Sequence, residues 1–358
     1  MKKETNENKK EKGAYWLVSR DFSIDLSLSR NPLGCSKLIR NKVNLKNVDV
    51  AEYPDIRKIV EVISCHFSIP KENLAIGAGI DDFINLFPQV FLKKGDCVLM
   101  PEITFPRFEI ATMTFKGKPV FIPMRNMRIN FEAFERILKK RKPKMIFIAN
   151  PNNPTGLIES KEKILNLAKK TKAIMIVDEA GIDFVGEKYS LVREATKIKN
   201  LVVLRGFSKA HGLAGLRIGF CVASPDIIEK FYPTKATFPV STIAIKAAIL
   251  AISDKKHIKK TKRLFKEETQ FFSNSLQRMG FEVLPPESNL VFAKIPNVFS
   301  SAEELINALH KKNIHCVDGK YFGLLKFIRI NPATHKINKK FIEAISQIIK
   351  EKENNKSL

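Results

Sequence analysis

The sequence has no stretch approaching about 18 uninterrupted apolar residues, so no helix is expected to cross a membrane. Its first segment, Met1 to Gly13, is polar and rich in Lys, Glu and Asn, with neither an apolar stretch nor a small-residue cleavage site, and a secretory signal is not expected. The five cysteines (Cys35, Cys65, Cys97, Cys221 and Cys316) are odd in number, scattered, and never spaced C-x-x-C. That excludes a disulfide framework or a zinc site and points to free thiols in a reducing cytoplasm. The six histidines lack the H-E-x-x-H spacing or any comparable metal pattern. Acidic residues are in deficit: 37 Asp and Glu against 62 Lys and Arg give a net charge of +25. Such a balance can mark a nucleic-acid partner or an anionic, phosphorylated substrate. Yet the basic groups, such as Lys139–Lys142 and Lys255–Lys256, are short and set among acids and helical apolar spacing, which reads as a solvated surface. With no nucleic-acid motif present, no such partner is expected.

What is present is a globular balance. Of the 358 residues, 44% are hydrophobic and 28% charged, which excludes global disorder. At about 100–200 residues per domain, two domains are expected. After a leader (1–20) and an irregular arm (21–50) containing Asn31-Pro32-Leu33-Gly34, short apolar runs alternate with helical spacing. The runs are Leu74–Gly77, Cys97–Met100, Lys144–Ala149, Ala173–Val177 and Leu201–Leu204. Continuous runs of this kind are strands of a parallel sheet covered on both faces, so an α/β domain is expected over 51–235. The remainder, 236–358, mixes helices (Thr242–Gly280 with a break near Ser253-Asp254, Ala302–Lys311, Lys339–Lys350) with short strands, as a smaller α+β domain would.

Ligands of open α/β sheets bind beyond the carboxyl ends of strands, so the residues after each run carry the chemistry. After Ile76 comes Gly77-Ala78-Gly79-Ile80-Asp81-Asp82, whose glycines allow an anion to approach a helix N-terminus. It lacks the third glycine of a dinucleotide fingerprint, and taken singly it is equally an ordinary turn. After Ala149 comes Asn150-Pro151-Asn152-Asn153-Pro154-Thr155-Gly156, a rigid turn presenting an amide. Asp178 follows the next run; a single strand-end acid is as readily a helix cap or a metal ligand. Then come Ser208-Lys209 and Gly215-Leu216-Arg217, in which a single lysine is as readily surface charge.

The ordered set Asn153, Asp178, Ser208-Lys209 and Arg217 resembles the active-site set of fold-type I pyridoxal-phosphate enzymes of the aminotransferase class I/II group. The string Ser208-Lys209-Ala210-His211-Gly212-Leu213-Ala214-Gly215-Leu216-Arg217-Ile218-Gly219 is its most specific part. The resemblance is greatest to histidinol-phosphate aminotransferases, with threonine-phosphate decarboxylase a near relative. It runs from Asp25 to Ile330 and implies a large domain, with a mostly parallel sheet between helices, beside a small α+β domain. It implies pyridoxal 5'-phosphate as cofactor, an amino donor and a 2-oxo acid as substrates, amino-acid biosynthesis as setting, and a homodimer sharing its sites. Lys209 would bind the cofactor aldehyde covalently and move the proton at substrate Cα. Asp178 would pair with the ring nitrogen, Asn153 with the phenolic oxygen, and Phe105 would stack on the ring. Ser208, Arg217 and the N–H groups of Ile80 and Asp81 would hold the phosphate. Tyr53 would reach the partner subunit's cofactor phosphate, Arg329 would grip the substrate carboxylate, and Asn31 would lie near the substrate.

The chain also departs from the family pattern. Gly181 follows Asp178-Glu179-Ala180 where a tyrosine is usual, Ile80 replaces a small residue, and Val317 stands where many relatives carry a second arginine. A decarboxylase of a phosphorylated amino acid is the alternative within this scaffold. A non-catalytic regulator is a third reading, for which the chain has no spare hundred residues to form a DNA-binding domain.

Overall fold

A computed structural model describes residues 21–354; the expected leader, 1–20, lies outside the described residues. The arm enters through a short strand, β1 (Ile24–Asp25). The strands β2 (Leu74–Gly77), β3 (Cys97–Pro101), β4 (Lys118–Ile122), β5 (Met145–Ala149), β6 (Ile174–Asp178), β7 (Leu201–Gly206) and β8 (Gly219–Val222) form one sheet. Their spatial order is β2-β8-β7-β6-β5-β3-β4. All pairings are parallel except those of β8, which runs antiparallel to β2 and β7. Alternate residues enter opposite cores: Ile146, Ile148, Val177 and Val203 on one side, Met145, Phe147, Ile176 and Val202 on the other. With helices over both faces, the middle positions of these central strands are apolar, hence the unbroken runs, and polar residues such as Asp178 and Arg205 appear only toward the carboxyl ends.

Two strands escape that signature. Edge strand β4 carries Pro119 and leaves Lys118 and Phe121 exposed, a tolerable arrangement only at an edge. β8 is four residues long and directly follows the Ser208–Ile218 string, so no turn of its own announces it.

A second sheet is built from β9 (Glu282–Val283), β10 (Val291–Lys294), β12 (Val317–Asp318) and β13 (Phe327–Ile330), antiparallel in the order β12-β13-β10-β9, while β11 (Ile314–His315) pairs parallel with β1. Helices Ala302–Lys311 and His335–Asn354 and the end of Lys255–Arg278 enclose its core. The last helix starts before the expected Lys339. Asn338 anchors its first turn, accepting from the Ala333 N–H and donating to Glu268 Oε2. The sequence reading divides the chain at 235, but Ala244, Ile245, Ala247, Ala248 and Ala251 of helix Thr242–Ser253 pack into the large-sheet core. The second core takes over only from Phe272. Among the described residues no helix is long and apolar enough to cross a membrane.

The arm ties the two units together. Leu26 is buried in the second core and its carbonyl accepts from the Asn331 N–H. Eight residues on, Gly34 lies against Gly212, just past Lys209. A Cβ on Gly212 would stand 2.3 Å from the Gly34 carbonyl oxygen, and its φ is +71°. Gly212→Ala is therefore expected to cost on the order of 2–4 kcal/mol, combining left-handed strain with a backbone clash. Urea unfolding measures it; a loss below about 0.5 kcal/mol would mean that the arm is not held against this loop.

Candidate active site

Because β8 alone is reversed, β2, β5, β6 and β7 all end on one edge of the sheet, and the loops leaving them surround a cavity of about 190 Å³. Asp178, the last residue of β6, and Lys209, three residues past β7, both line it. Asp178 is 6% exposed, and its Oδ1 accepts the Ala180 N–H at 2.8 Å. Burial pushes its carboxyl up, with Lys209 and the Ala180 N–H pulling the other way. Burial also lowers the Lys209 ammonium; Asp178 opposes that shift and the Arg329 charge adds to it. Lowering an amine's pKa enlarges the fraction present as free base, the form that acts as nucleophile and proton acceptor.

One end of the cavity is an anion cradle. Helix Ile80–Phe91 starts at Gly79, whose φ of +86° turns the chain so that the first-turn N–H groups of Ile80 and Asp81 have no carbonyl one turn earlier to donate to. Arg217 sits beside them in a left-handed backbone conformation, its Nη1 3.4 Å from Ser208 Oγ and its Nη2 3.4 Å from Asp81 Oδ2. A Cβ on Gly79 would come within 2.8 Å of Arg217 Nη2, so only glycine leaves the guanidinium there. A guanidinium, a hydroxyl and helix N–H groups suit a phosphate, and a buried carboxylate suits a protonated ring nitrogen. Those donors and the lysine on one cavity fit the pyridoxal phosphate that the sequence calls for.

The second sheet supplies Arg329, 2% exposed on β13. Its Nη1 donates to Asn153 Oδ1 at 2.7 Å and its Nη2 to the Ser27 carbonyl. Asn153 thus meets the arginine side on, joining the turn after β5 to β13 and the arm. Phe105 also lines the cavity, as do Leu28 and Ser29 of the arm, which carry no chemistry that sequence reasoning could single out. Ile80, Asp81, Phe105, Asn153, Asp178, Ser208, Lys209, Arg217 and Arg329 are therefore brought together.

Asn31 and Tyr53 are not. The Asn31 amide is buried behind the cavity and donates to the Ala210 carbonyl at 2.8 Å and to Thr261 Oγ1 at 3.0 Å, so it holds the arm to the lysine loop and does not reach the cavity. Asn31, expected near the substrate, is therefore not among the cavity-lining residues, whereas its neighbours Leu28 and Ser29 are. Tyr53 is 77% exposed and stacks on Phe238 with ring centres 4.4 Å apart. At position 181, a Cβ would meet Pro151 Cδ at 3.4 Å and Asn289 Oδ1 at 3.5 Å, ordinary contacts, so the backbone does not require glycine there.

Glu179 points to the opposite face from Asp178. It is 1% exposed and accepts from Ser190 Oγ and the Leu191 N–H, with Arg205 Nη1 at 3.5 Å. Arg205, equally buried on β7, also pairs with Asp183 at 2.6 Å and Glu187 at 2.9 Å. This cluster fixes the ends of β6 and β7 from behind.

A mostly parallel sheet with an acid and a lysine at its carboxyl edge, and an arginine from a second antiparallel sheet, is the architecture of a fold-type I transferase. The sequence matches the family of class I and II aminotransferases over residues 24–345, and the chain belongs to that family. A histidinol-phosphate aminotransferase from Caldicellulosiruptor saccharolyticus is 32% identical over 91% of this chain and 92% of its own. The histidinol-phosphate aminotransferase structure from Clostridium acetobutylicum has a TM-score of 0.84 at 26% identity, covering 92% of this chain and 99% of that one. The Sinorhizobium meliloti structure, a histidinol-phosphate aminotransferase in complex with pyridoxal-5'-phosphate, has a TM-score of 0.86 over 93% of this chain and 92% of that one. At 22% identity that likeness speaks to the fold alone.

Burial pushes the Glu179 carboxyl up to about 7, against the pull of Arg205, from an ordinary 4.5. Between those values the folded chain holds a proton that the unfolded chain releases, so this group's contribution to stability falls as pH rises through the window. Arg205→Met is expected to cost about 3–5 kcal/mol by leaving buried carboxylates unpaired, and more at pH 8 than at pH 5. Urea unfolding at both values checks this; a loss independent of pH would mean that the carboxylates are not coupled to the arginine.

Proposed function

We propose that the chain is a pyridoxal-phosphate-dependent aminotransferase that exchanges an amino group between histidinol phosphate, or a closely similar amino-alcohol phosphate, and a 2-oxo acid. The observation that carries this reading is the convergence of Lys209, Asp178 and the Arg217–Ser208 cradle on one cavity, in a chain of the aminotransferase family. When bound, the cofactor supplies an aldehyde able to take up an amino group and a ring able to draw electrons from substrate Cα. Lys209 would hold the cofactor through its Nζ, and the free Nζ would carry the proton to and from substrate Cα. Asp178, kept from water, holds the charge on the ring nitrogen. Ser208, Arg217 and the N–H groups of Ile80 and Asp81 would hold the phosphate, and Phe105 would cover the ring.

Asn153 orients both ring oxygen and Arg329, and Arg329 receives the carboxylate of the 2-oxo acid or its amino-acid product. The exposed Tyr53–Phe238 pair faces a second copy of the chain, where Tyr53 completes the partner's phosphate site in a homodimer. With five free cysteines and this chemistry, the enzyme works in the cytoplasm on amino-acid biosynthesis.

Two measurements test this reading. The purified enzyme is expected to convert histidinol phosphate with 2-oxoglutarate to glutamate; release of carbon dioxide from threonine phosphate without glutamate formation would overturn it in favour of a decarboxylase. Arg329→Ala is expected to raise KM for the 2-oxo acid about tenfold to a hundredfold, the worth of one charge-assisted pair, whereas Asp178→Asn lowers kcat by on the order of 10². Unchanged steady-state kinetics in either variant would remove that residue from its role.

A further inference from the structure

On the far side of β7 from Lys209 lies a second cavity, of about 420 Å³, whose wall shares Gly206 with the candidate active site. One part of its lining is apolar and aromatic, with Phe67, Phe207 and Phe220 around it. His211, two residues after Lys209, lies in the same wall with its ring centre 5.1 Å from that of Phe207. The His211 Nδ1 is buried and has no hydrogen-bond partner among the described residues, while its Nε2 stands 3.8 Å from Asp183 Oδ2. A buried ring nitrogen without a partner costs free energy unless something in the cavity meets it.

The other part is cationic. Lys255, Lys259 and Lys262 line the cavity from successive turns of helix Lys255–Arg278, at the spacing that puts them on one face. None of the three has an ion-pair partner among the described residues. The two carboxylates in the lining, Asp183 and Glu187, are already engaged by Arg205. One arginine does not neutralise two carboxylates, yet with the three lysines the lining keeps an excess of positive charge, which a dianion relieves where a neutral molecule does not. The apolar wall, for its part, favours a flat ring over a bare ion.

We propose that this cavity is a second ligand site, for an aromatic phosphate monoester whose phosphate is met by Lys255, Lys259 and Lys262 and whose ring meets the Phe67–Phe207 wall. Its position links it to the chemistry, because β7 carries Arg205 into this cavity and leads directly to Ser208 and Lys209 in the other. The inference stands on this cavity alone and does not depend on which substrate the active site takes.

Isothermal titration calorimetry of the cofactor-loaded enzyme with phenyl phosphate tests it, since the bound cofactor already fills the phosphate cradle of the active site. Phenyl phosphate is expected to bind at least about tenfold more tightly than inorganic phosphate, and to lose at least about tenfold in Kd in the Lys255→Ala/Lys259→Ala/Lys262→Ala variant. The single variant Lys259→Glu is expected to weaken binding in the same direction, and the visible absorbance of the bound cofactor reports that each variant remains folded and loaded. Equal affinity for phenyl phosphate and inorganic phosphate would overturn the aromatic part of the site. Binding that persists undiminished in the lysine variants would place the ligand elsewhere, at the substrate subsite, and overturn the proposal.

Discussion

The buried pair of Asp178 and Lys209 is the constraint around which the molecule is organised. An acid and an amine set at the ends of adjacent strands and withdrawn from water each lose charge stabilisation, and each partly restores the other's. The sheet makes this possible by ending β6 and β7 on the same edge, with the apolar cores on both faces leaving the carboxyl edge as the place for polar groups. Behind that edge, the Glu179–Arg205 cluster occupies the positions whose side chains point away from the cavity. Successive residues of one strand end thus serve two ends: Asp178 faces the cavity, Glu179 secures the strands that present it.

The second constraint is the three-way junction at Arg329. One guanidinium joins β13, the turn after β5 and the arm, through Asn153 and the Ser27 carbonyl. A shift of the second sheet relative to the first would therefore move the arginine, the amide and the arm residues Leu28 and Ser29 together. Asn31 and the close packing of Gly34 on Gly212 fasten the same arm to the lysine loop. Cavity walls drawn from three distant parts of the sequence are held in register by a handful of buried polar contacts, each of which costs more to break than it contributes when made.

Much of this was legible in the sequence because its signals are local. Central strands declare themselves as apolar runs, and the residues that follow them, Asn153, Asp178 and Ser208-Lys209, carry their chemistry in the side chain. Edge strand β4, with Pro119 and an exposed Phe121, has no such run, and β8 hides behind the glycine-rich string before it. Leu28 and Ser29 could not be singled out, since they reach the cavity through contacts of the arm with distant segments, among them the pairing of β1 with β11, nearly 300 residues away in sequence. Asn31, a polar residue in a recognisable tetrad, looks like a ligand contact in the sequence, while the fold gives its amide to the Ala210 carbonyl. The division at 235 failed because helix Thr242–Ser253, rich in alanine and isoleucine, packs on the large sheet although it follows the last strand of that sheet in sequence.

Burial holds Lys209 as a desolvated amine opposite Asp178. Competitive acetylation of the cofactor-free protein with acetic anhydride across pH, read at Lys209 by mass spectrometry, measures that amine directly. Its titration midpoint is expected below the ordinary lysine value of 10.5, and lower again in Asp178→Asn, where the opposing carboxylate is lost. A midpoint at or above 10.5, or one that rises in the Asp178→Asn variant, would mean that burial does not set the state of this amine.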